Sequence, residues 1–332
     1  MSVPRHVFHQ TVAALFAPVT PFLETDEVCE IMINGHDEIY VEVHGQLHRT
    51  NNRFASDHVL MSALRNLAQF VGRELSQSQP ILEARLPDGS RVEAIIPPAA
   101  PSGPVVSIRC FRRKQLTLDR LVELGTLTRQ AAGLLSEAVA RRDNMIVGGG
   151  SGSGKTSLLN ALASLAGEDE RVVVIEDSRE LQIELSHVIQ LESQPADVRG
   201  RGGVTIRDLL RATLRLRPDR IVIGEVRGGE ALDLIQAMTS GHRGCLSTVH
   251  ATLPIDTLSR LETMALMSDV EVPLPVLRVQ IASAVDTIIQ VSRTSDGSRC
   301  VSHVTQVLGY DRENGYRINN LFEGSSEHRR RK

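Results

Sequence analysis

Between residues 25 and 50, apolar and polar positions alternate with a period of two. The segments Glu30-Ile31-Met32-Ile33, Glu38-Ile39-Tyr40-Val41-Glu42-Val43 and Gln46-Leu47-His48-Arg49 are separated by Asn34-Gly35-His36-Asp37 and His44-Gly45. Alternation cut by Asn, Asp and Gly predicts strands joined by tight turns. Over 56–72 the period becomes helical: Leu60, Leu64, Leu67, Ala68 and Val71 fall on one face, with Ser56 and Asp57 placed to cap and Gly72 to close. Strands resume at 81–86, 91–96 and 105–109, the first two joined by the turn Pro87-Asp88-Gly89. The Pro-rich stretch 97–104 precedes a segment that still reads as a strand of the same domain, so the domain boundary is expected near 110–116. That gives an N-terminal α+β domain over 1–112, junction included, and a second domain over 113–332.

The second half alternates strand and helix. Helices are predicted over 128–142, 156–165, 205–216, 230–238, 254–267 and 273–283. Short apolar strands are predicted at 144–147, 171–175, 220–223 and 244–249. Such alternation predicts an α/β domain, a mostly parallel sheet with helices on both faces. Residues 285–322 return to strand-like alternation, and the charged end 327–332 reads as a solvated tail.

Gly149-Gly150-Ser151-Gly152-Ser153-Gly154-Lys155-Thr156 fits G-x-x-x-x-G-K-[ST], between a buried strand and a helix start. Glycines allow successive backbone N–H groups to turn inward around a phosphate, and the following helix adds the positive end of its dipole. Lys155 is expected to reach the β- and γ-phosphates of ATP, and Thr156 to offer its hydroxyl to Mg²⁺. Two apolar strands end in carboxylates. One is Arg171–Ile175, followed by Glu176-Asp177-Ser178-Arg179-Glu180; the other is Arg220–Ile223, followed by Gly224-Glu225. Parallel strands bring their C-terminal ends to one rim, so Glu176, Asp177, Glu180 and Glu225 are expected to converge there. One of them would orient or deprotonate a water, and Glu225 would order Mg²⁺ or its bound water. His250 ends a strand on the same rim and is placed to bond a γ-phosphate. Arg207, Arg211 and Arg215 share a helical face, read either as solvated or as a subunit interface. Arg109, Arg112 and Arg113 lie at the domain junction, where closure could bring positive charge to a nucleotide.

Composition changes this picture little. The 332 residues are 41% hydrophobic and 23% charged, with a net charge of −3. That is ordinary for a globular protein and too balanced for a polyanion binder. Aromatics are 3% and Trp is absent, so a base-stacking platform is poorly supplied and no direct nucleic-acid partner is expected. Cys29, Cys110, Cys245 and Cys300 form no CxxC pair, so neither a zinc site nor a disulfide framework is signalled, which fits a reducing compartment. MSVPRHVFHQ has no basic-then-apolar secretory pattern, and no apolar run is long enough to span a bilayer. Membrane association is therefore expected to be peripheral.

Residues 149–156, 174–181, 217–229 and 241–250, in that order, resemble the Walker A, Asp box, Walker B and His box of the type II/type IV secretion ATPases. The resemblance extends through LPDGSRVEAIIPP, VTIRDLLRATLRLRPDRIVIGEVRGGEALDLIQAM and LSRLETMALM. With QIASAVDTIIQVSRTSDGSR it resembles most the CpaF-like ATPases of Tad (Flp) pilus assembly, the conjugative TrbB-like branch standing near. It covers residues 25–323. It implies a PAS-like N-terminal domain, a RecA-like P-loop ATPase domain, and a homo-hexamer docked on inner-membrane platform proteins at the cytoplasmic face. It also implies ATP and Mg²⁺ as cofactors, Glu180 as the water-activating base, Glu225 serving Mg²⁺, His250 at the γ-phosphate, and Arg109 and Arg113 as arginine-finger candidates. Ser151 and Ser157 stand where the family more often has Thr, and either hydroxyl serves the cradle. The extended N-terminal segment of CpaF-like proteins is not seen, nor is a four-cysteine zinc module. A P-loop kinase or a non-hydrolysing scaffold is the competing class.

Overall fold

The computed structural model describes residues 14–43, 45–111, 116–194, 196, 201–294 and 297–324. The chain divides into two compact units, Met1–Lys114 and Gln115–Lys332.

The N-terminal unit has a short helix α1 (Thr20–Leu23), strands β1 (Val28–Asn34), β2 (Glu38–Val43) and β3 (Gln46–Arg49), and helix α2 (Asp57–Phe70). Strands β4 (Ile81–Arg85), β5 (Arg91–Ile95) and β6 (Val105–Arg109) follow. The six strands form one antiparallel sheet in the order β3-β2-β1-β6-β5-β4. The predicted alternation holds: Ile31, Ile33, Ile39, Leu82, Val92 and Ile108 are buried, and their neighbours along each strand are not. The Ser56 hydroxyl caps α2 by accepting the Val59 N–H, and the stripe Leu60, Ala63, Leu64, Leu67, Ala68 packs into the same core. Val71, placed on that stripe by its spacing, is the C-cap and packs, half-buried, against the same core.

The second unit is the predicted α/β domain. It has α3 (Leu118–Glu123), α4 (Arg129–Ala140), β7 (Met145–Gly149), α5 (Lys155–Ala163), β8 (Val172–Glu176), β9 (Val188–Glu192) and α6 (Ile206–Thr213). It continues with β10 (Arg220–Ile223), α7 (Glu230–Thr239), β11 (Leu246–His250), α8 (Pro254–Leu266) and α9 (Leu274–Ala284), then β12 (Thr287–Arg293), β13 (Arg299–Asp311) and β14 (Gly315–Glu323). Its sheet runs β14-β13-β12-β7-β11-β10-β8-β9. The strands from β12 to β9 are parallel, while β13 and β14 extend the sheet as an antiparallel hairpin. Both faces are covered. Met145, Val147, Val172, Val174 and Val222 pack against α3, α4 and α5. Ile146, Val173, Ile175, Ile221 and Ile223 pack against α6 to α9. Burial on both faces explains why these strands read as unbroken apolar runs.

Two features depart from the sequence reading. The parallel edge strand β9 lies where only a polar loop is expected, because VIQLE is half-buried throughout and carries no sharp period. Arg207 and Arg211 have a partner within their own unit that the helical face alone does not announce. Their Nε atoms donate to the two oxygens of buried Asp233 over 2.6 and 2.8 Å, and Arg207 also pairs with Asp269. They tie α6 to α7.

Polar groups fix the start of the parallel strands. Asn144, fully buried, donates to Ala284 O, accepts Cys245 N–H, and takes the Asp286 and Thr287 amides on its carbonyl. Arg220, at 4% exposure, donates through Nε to Glu170 over 2.5 Å and through Nη2 to Val139 O over 2.9 Å. Arg220→Ala would leave Glu170 with the half-exposed Arg142, 2.6 Å away, and the Gly167 amide, would strip Val139 O of its donor, and should lower stability by about 1–3 kcal/mol, read as a fall in thermal midpoint. A midpoint unchanged from wild type would refute that weight.

Candidate active site

The end of β7 and the start of α5 build the phosphate loop. Gly152 and Gly154 adopt φ of +66° and +97°, the left-handed region where a side chain is strained. Gly149 is required for a different reason: a Cβ there would fall 2.5 Å from Ser153 Oγ and 2.8 Å from Val291 O. Ser153 Oγ donates to Gly150 O over 2.9 Å, closing the loop on itself. Lys155 is 8% exposed, and its Nζ donates to Gly150 O over 2.9 Å. The cation is thus stored against a loop carbonyl within the cradle, while Ser151 is exposed and Gly154, Thr156 and Ser157 are half-buried at the mouth. Arg299 of β13, not singled out by its sequence setting, donates through Nε to Gly152 O over 3.0 Å and braces the loop from outside.

The strand ends deliver the acidic groups to the same rim, but in different roles. Glu176 does not face the cleft as its strand-end position predicts. It is 4% exposed, and Oε1 accepts the Glu180 and Leu181 amides, each over 2.9 Å. The carboxylate anchors the 177–181 loop, so it positions Glu180, which is itself half-buried. Asn160 of α5 pins the same loop by accepting the Gln182 amide over 2.8 Å. Asp177 is exposed and accepts a hydrogen bond from Ser193.

Glu225 follows β10, and its side chain is largely buried. Oε2 accepts a 2.6 Å hydrogen bond from Arg227 Nη2, and Oε1 stands 2.7 Å from His250 Nε2 without hydrogen-bond alignment. Both His250 ring nitrogens are 3.4 Å from Lys155 Nζ. The Glu225 carboxylate, the histidine and the phosphate-loop lysine therefore form one connected chain of contacts. Strand register explains it: His250 pairs with Gly149 across β11 and β7. Arg227, the fourth member, escaped the sequence reading although it sits two residues past the strand-end carboxylate. His242 lies at the opposite end of β11, where its carbonyl accepts the Cys245 thiol. Arg109 ends β6 opposite Glu30 and Arg91 in the N-terminal unit. Arg112 and Arg113 lie outside the described residues.

Burial, reinforced by the Lys155 charge and only partly offset by Glu225, lowers the His250 pKa below its ordinary value. The shift favours the neutral imidazole, and the stability this contributes is fully present above the ordinary histidine value and is lost as pH falls from there through the lowered pKa. Lys155→Ala should move the His250 titration midpoint up, and Glu225→Gln should move it down, followed by the imidazole NMR shift. Movement of both variants in one direction would refute this electrostatic account.

Comparison with known proteins agrees with the geometry. Residues 13–321 match the family model of the type II/IV secretion system proteins. The conjugal transfer protein TrbB of Rhizobium radiobacter is 33% identical over 300 residues, covering 89% of this chain and 88% of its own. The type IV secretion system protein PtlH of Bordetella pertussis is 32% identical over 302 residues, covering 82% and 88%. The X-ray structure of the Legionella pneumophila ATPase DotB superposes with a TM-score of 0.63 at 20% identity, over 90% of this chain and 82% of that one, a likeness of fold. With the phosphate loop, the acidic strand ends and the histidine all placed on one rim, and with the match running through both units, the chain belongs to the type II/IV secretion system protein family.

Proposed function

We propose that this chain hydrolyses ATP to ADP and phosphate as the subunit of a motor, a homo-hexamer acting peripherally on inner-membrane platform proteins at the cytoplasmic face. The observation that carries the reading is the contact chain Glu225–His250–Lys155 at the phosphate loop. A scaffold that only bound nucleotide would need the loop but not this connected set. Among the described residues no helix is long and apolar enough to cross a membrane, which is compatible with peripheral docking.

The loop amides and the N-terminus of α5 would hold the phosphates. Lys155 would exchange Gly150 O for the β- and γ-phosphate oxygens. His250, freed of that neighbouring charge, would donate a hydrogen bond to the γ-phosphate. Glu180, held by Glu176, would accept the proton of the attacking water. Among the described residues no group of three metal-ligating side chains exists, and Mg²⁺ needs none, because phosphates and water supply most of its shell. Thr156 and Glu225, whose buried Oε1 receives no aligned hydrogen bond, fit its protein share. Bound with ATP, Mg²⁺ would neutralise developing phosphate charge. Arg109 and Arg113 are proposed as the arginine fingers.

The work could serve assembly of a Tad/Flp pilus or a conjugative or type IV secretion channel. The names of the relatives, a conjugal transfer protein and a type IV secretion protein, favour the second.

Lys155→Ala should abolish nucleotide binding or turnover. Glu180→Gln and Glu225→Gln should bind ATP yet turn it over about 100-fold or more slowly, measured as phosphate release. Wild-type rates in both Gln variants would refute the assignment, and transfer of phosphate to an acceptor other than water would favour a kinase.

A further inference from the structure

Gly148 immediately precedes the phosphate-loop motif, so phosphate binding does not explain why the position holds glycine. A Cβ there would fall 2.6 Å from Thr257 Oγ1 and 2.8 Å from Gln290 Oε1. Gln290 belongs to β12, pairs in register with Gly148, and is 1% exposed. Its Nε2 donates to Ala251 O over 3.0 Å. Ala251 directly follows His250, the last residue of β11, and β11 lies on the far side of β7 from β12. The Gln290 side chain therefore reaches across the whole width of β7, and it can do so only where β7 has no side chain.

The Ala251 carbonyl lies at a break in main-chain pairing. The ladder between β11 and β7 ends at His250, and the first turn of α8 begins with Thr257 N–H donating to Leu253 O. A carbonyl placed between a ladder and a helix needs a donor from elsewhere, and Gln290 supplies it. The amide orientation follows, since Ala251 O can only accept. Gln290 Oε1 and Thr257 Oγ1 have no hydrogen-bond partner among the described residues, so the side chain is held in place by the Ala251 bond and by packing.

His250 needs such support. Its side chain is 43% exposed, and its polar neighbours, Lys155 and Glu225, are the groups that nucleotide would redistribute. The ring's position is thus set by its main chain. We propose that Gln290 is a positioning residue for His250: its amide fixes the chain at Ala251 and thereby where the imidazole stands relative to Glu225, Lys155 and the terminal phosphate. The proposal rests on the ATPase reading for its kinetic consequence, though not for the strut itself.

The test uses the full chain with Gln290→Met, which keeps volume and removes the donor together with the unpartnered oxygen; Gln290→Leu is the second variant should the first fold poorly. The kcat for ATP should fall about 10- to 100-fold, as for a misplacement of about 1 Å, while KM stays within about threefold. In a His250→Ala background the same substitution should change kcat by less than about twofold, because Gln290 acts through the histidine. Wild-type kcat, a loss confined to KM, or an equal loss in both backgrounds overturns the proposal. Amide hydrogen exchange provides a readout independent of turnover: residues 250–253 should exchange about tenfold faster in Gln290→Met, with β8 unaffected. Wild-type exchange there overturns the strut. A wild-type chain that releases no phosphate would instead refute the ATPase reading, with the exchange result still deciding the strut.

Discussion

The first turn of α5 carries backbone N–H groups with no intrahelical partner, and the loop before it is built from glycines that turn further N–H groups inward. This concentration of donors is the constraint on which the site depends. It makes the loop an anion receptor, and it also requires something to hold the loop when no anion is bound. Lys155 and Ser153 do this from within by donating to Gly150 O, and Arg299 does it from outside through Gly152 O. The loop is thus held in one shape by side chains that donate to its carbonyls, and Lys155 Nζ is the donor among them that an arriving phosphate can draw away.

Around that receptor the acidic groups separate into roles according to burial. Glu176 is buried and satisfied by two amides, which suits an anchor. Glu180 rides on the anchored loop and stays half-buried, which leaves it able to reach water. Glu225 is divided between Arg227 and His250, so its charge is shared with the group that faces Lys155. A cation, a neutral imidazole and a carboxylate in contact form a relay whose balance shifts when a polyanion arrives. The Gln290 strut adds a mechanical link, because it makes β12 part of the support for a residue on β11. Through β12 the same hairpin that carries Arg299 is joined to the histidine.

Much of this was legible in the residues. The period-two alternation of 25–50, the Leu60–Leu67 stripe capped by Ser56, and the strand–glycine–helix run at 145–163 are local patterns, and each appears where predicted. Strand β9 was missed because VIQLE at a sheet edge is half-buried on both sides and shows no period. For Glu176 the residues leave two roles open, a group on the nucleotide rim or a loop cap, because a strand-end carboxylate looks the same in either, and the two amides on its Oε1 show the loop contact. The arginines of α6 looked like a surface stripe because their partner, Asp233, lies on a different helix.

By itself the sequence determined the elements, the phosphate loop and the stock of acidic and basic groups. These depend on propensity, capping and spacing within a few residues, which a linear chain states directly. Only the tertiary structure decided the strand order, the inward turn of Glu176, the convergence of Glu225, His250 and Lys155, and the passage of Gln290 over Gly148. Each of these joins residues that become neighbours only when the sheet assembles, and sheet neighbours are chosen by packing over the whole domain.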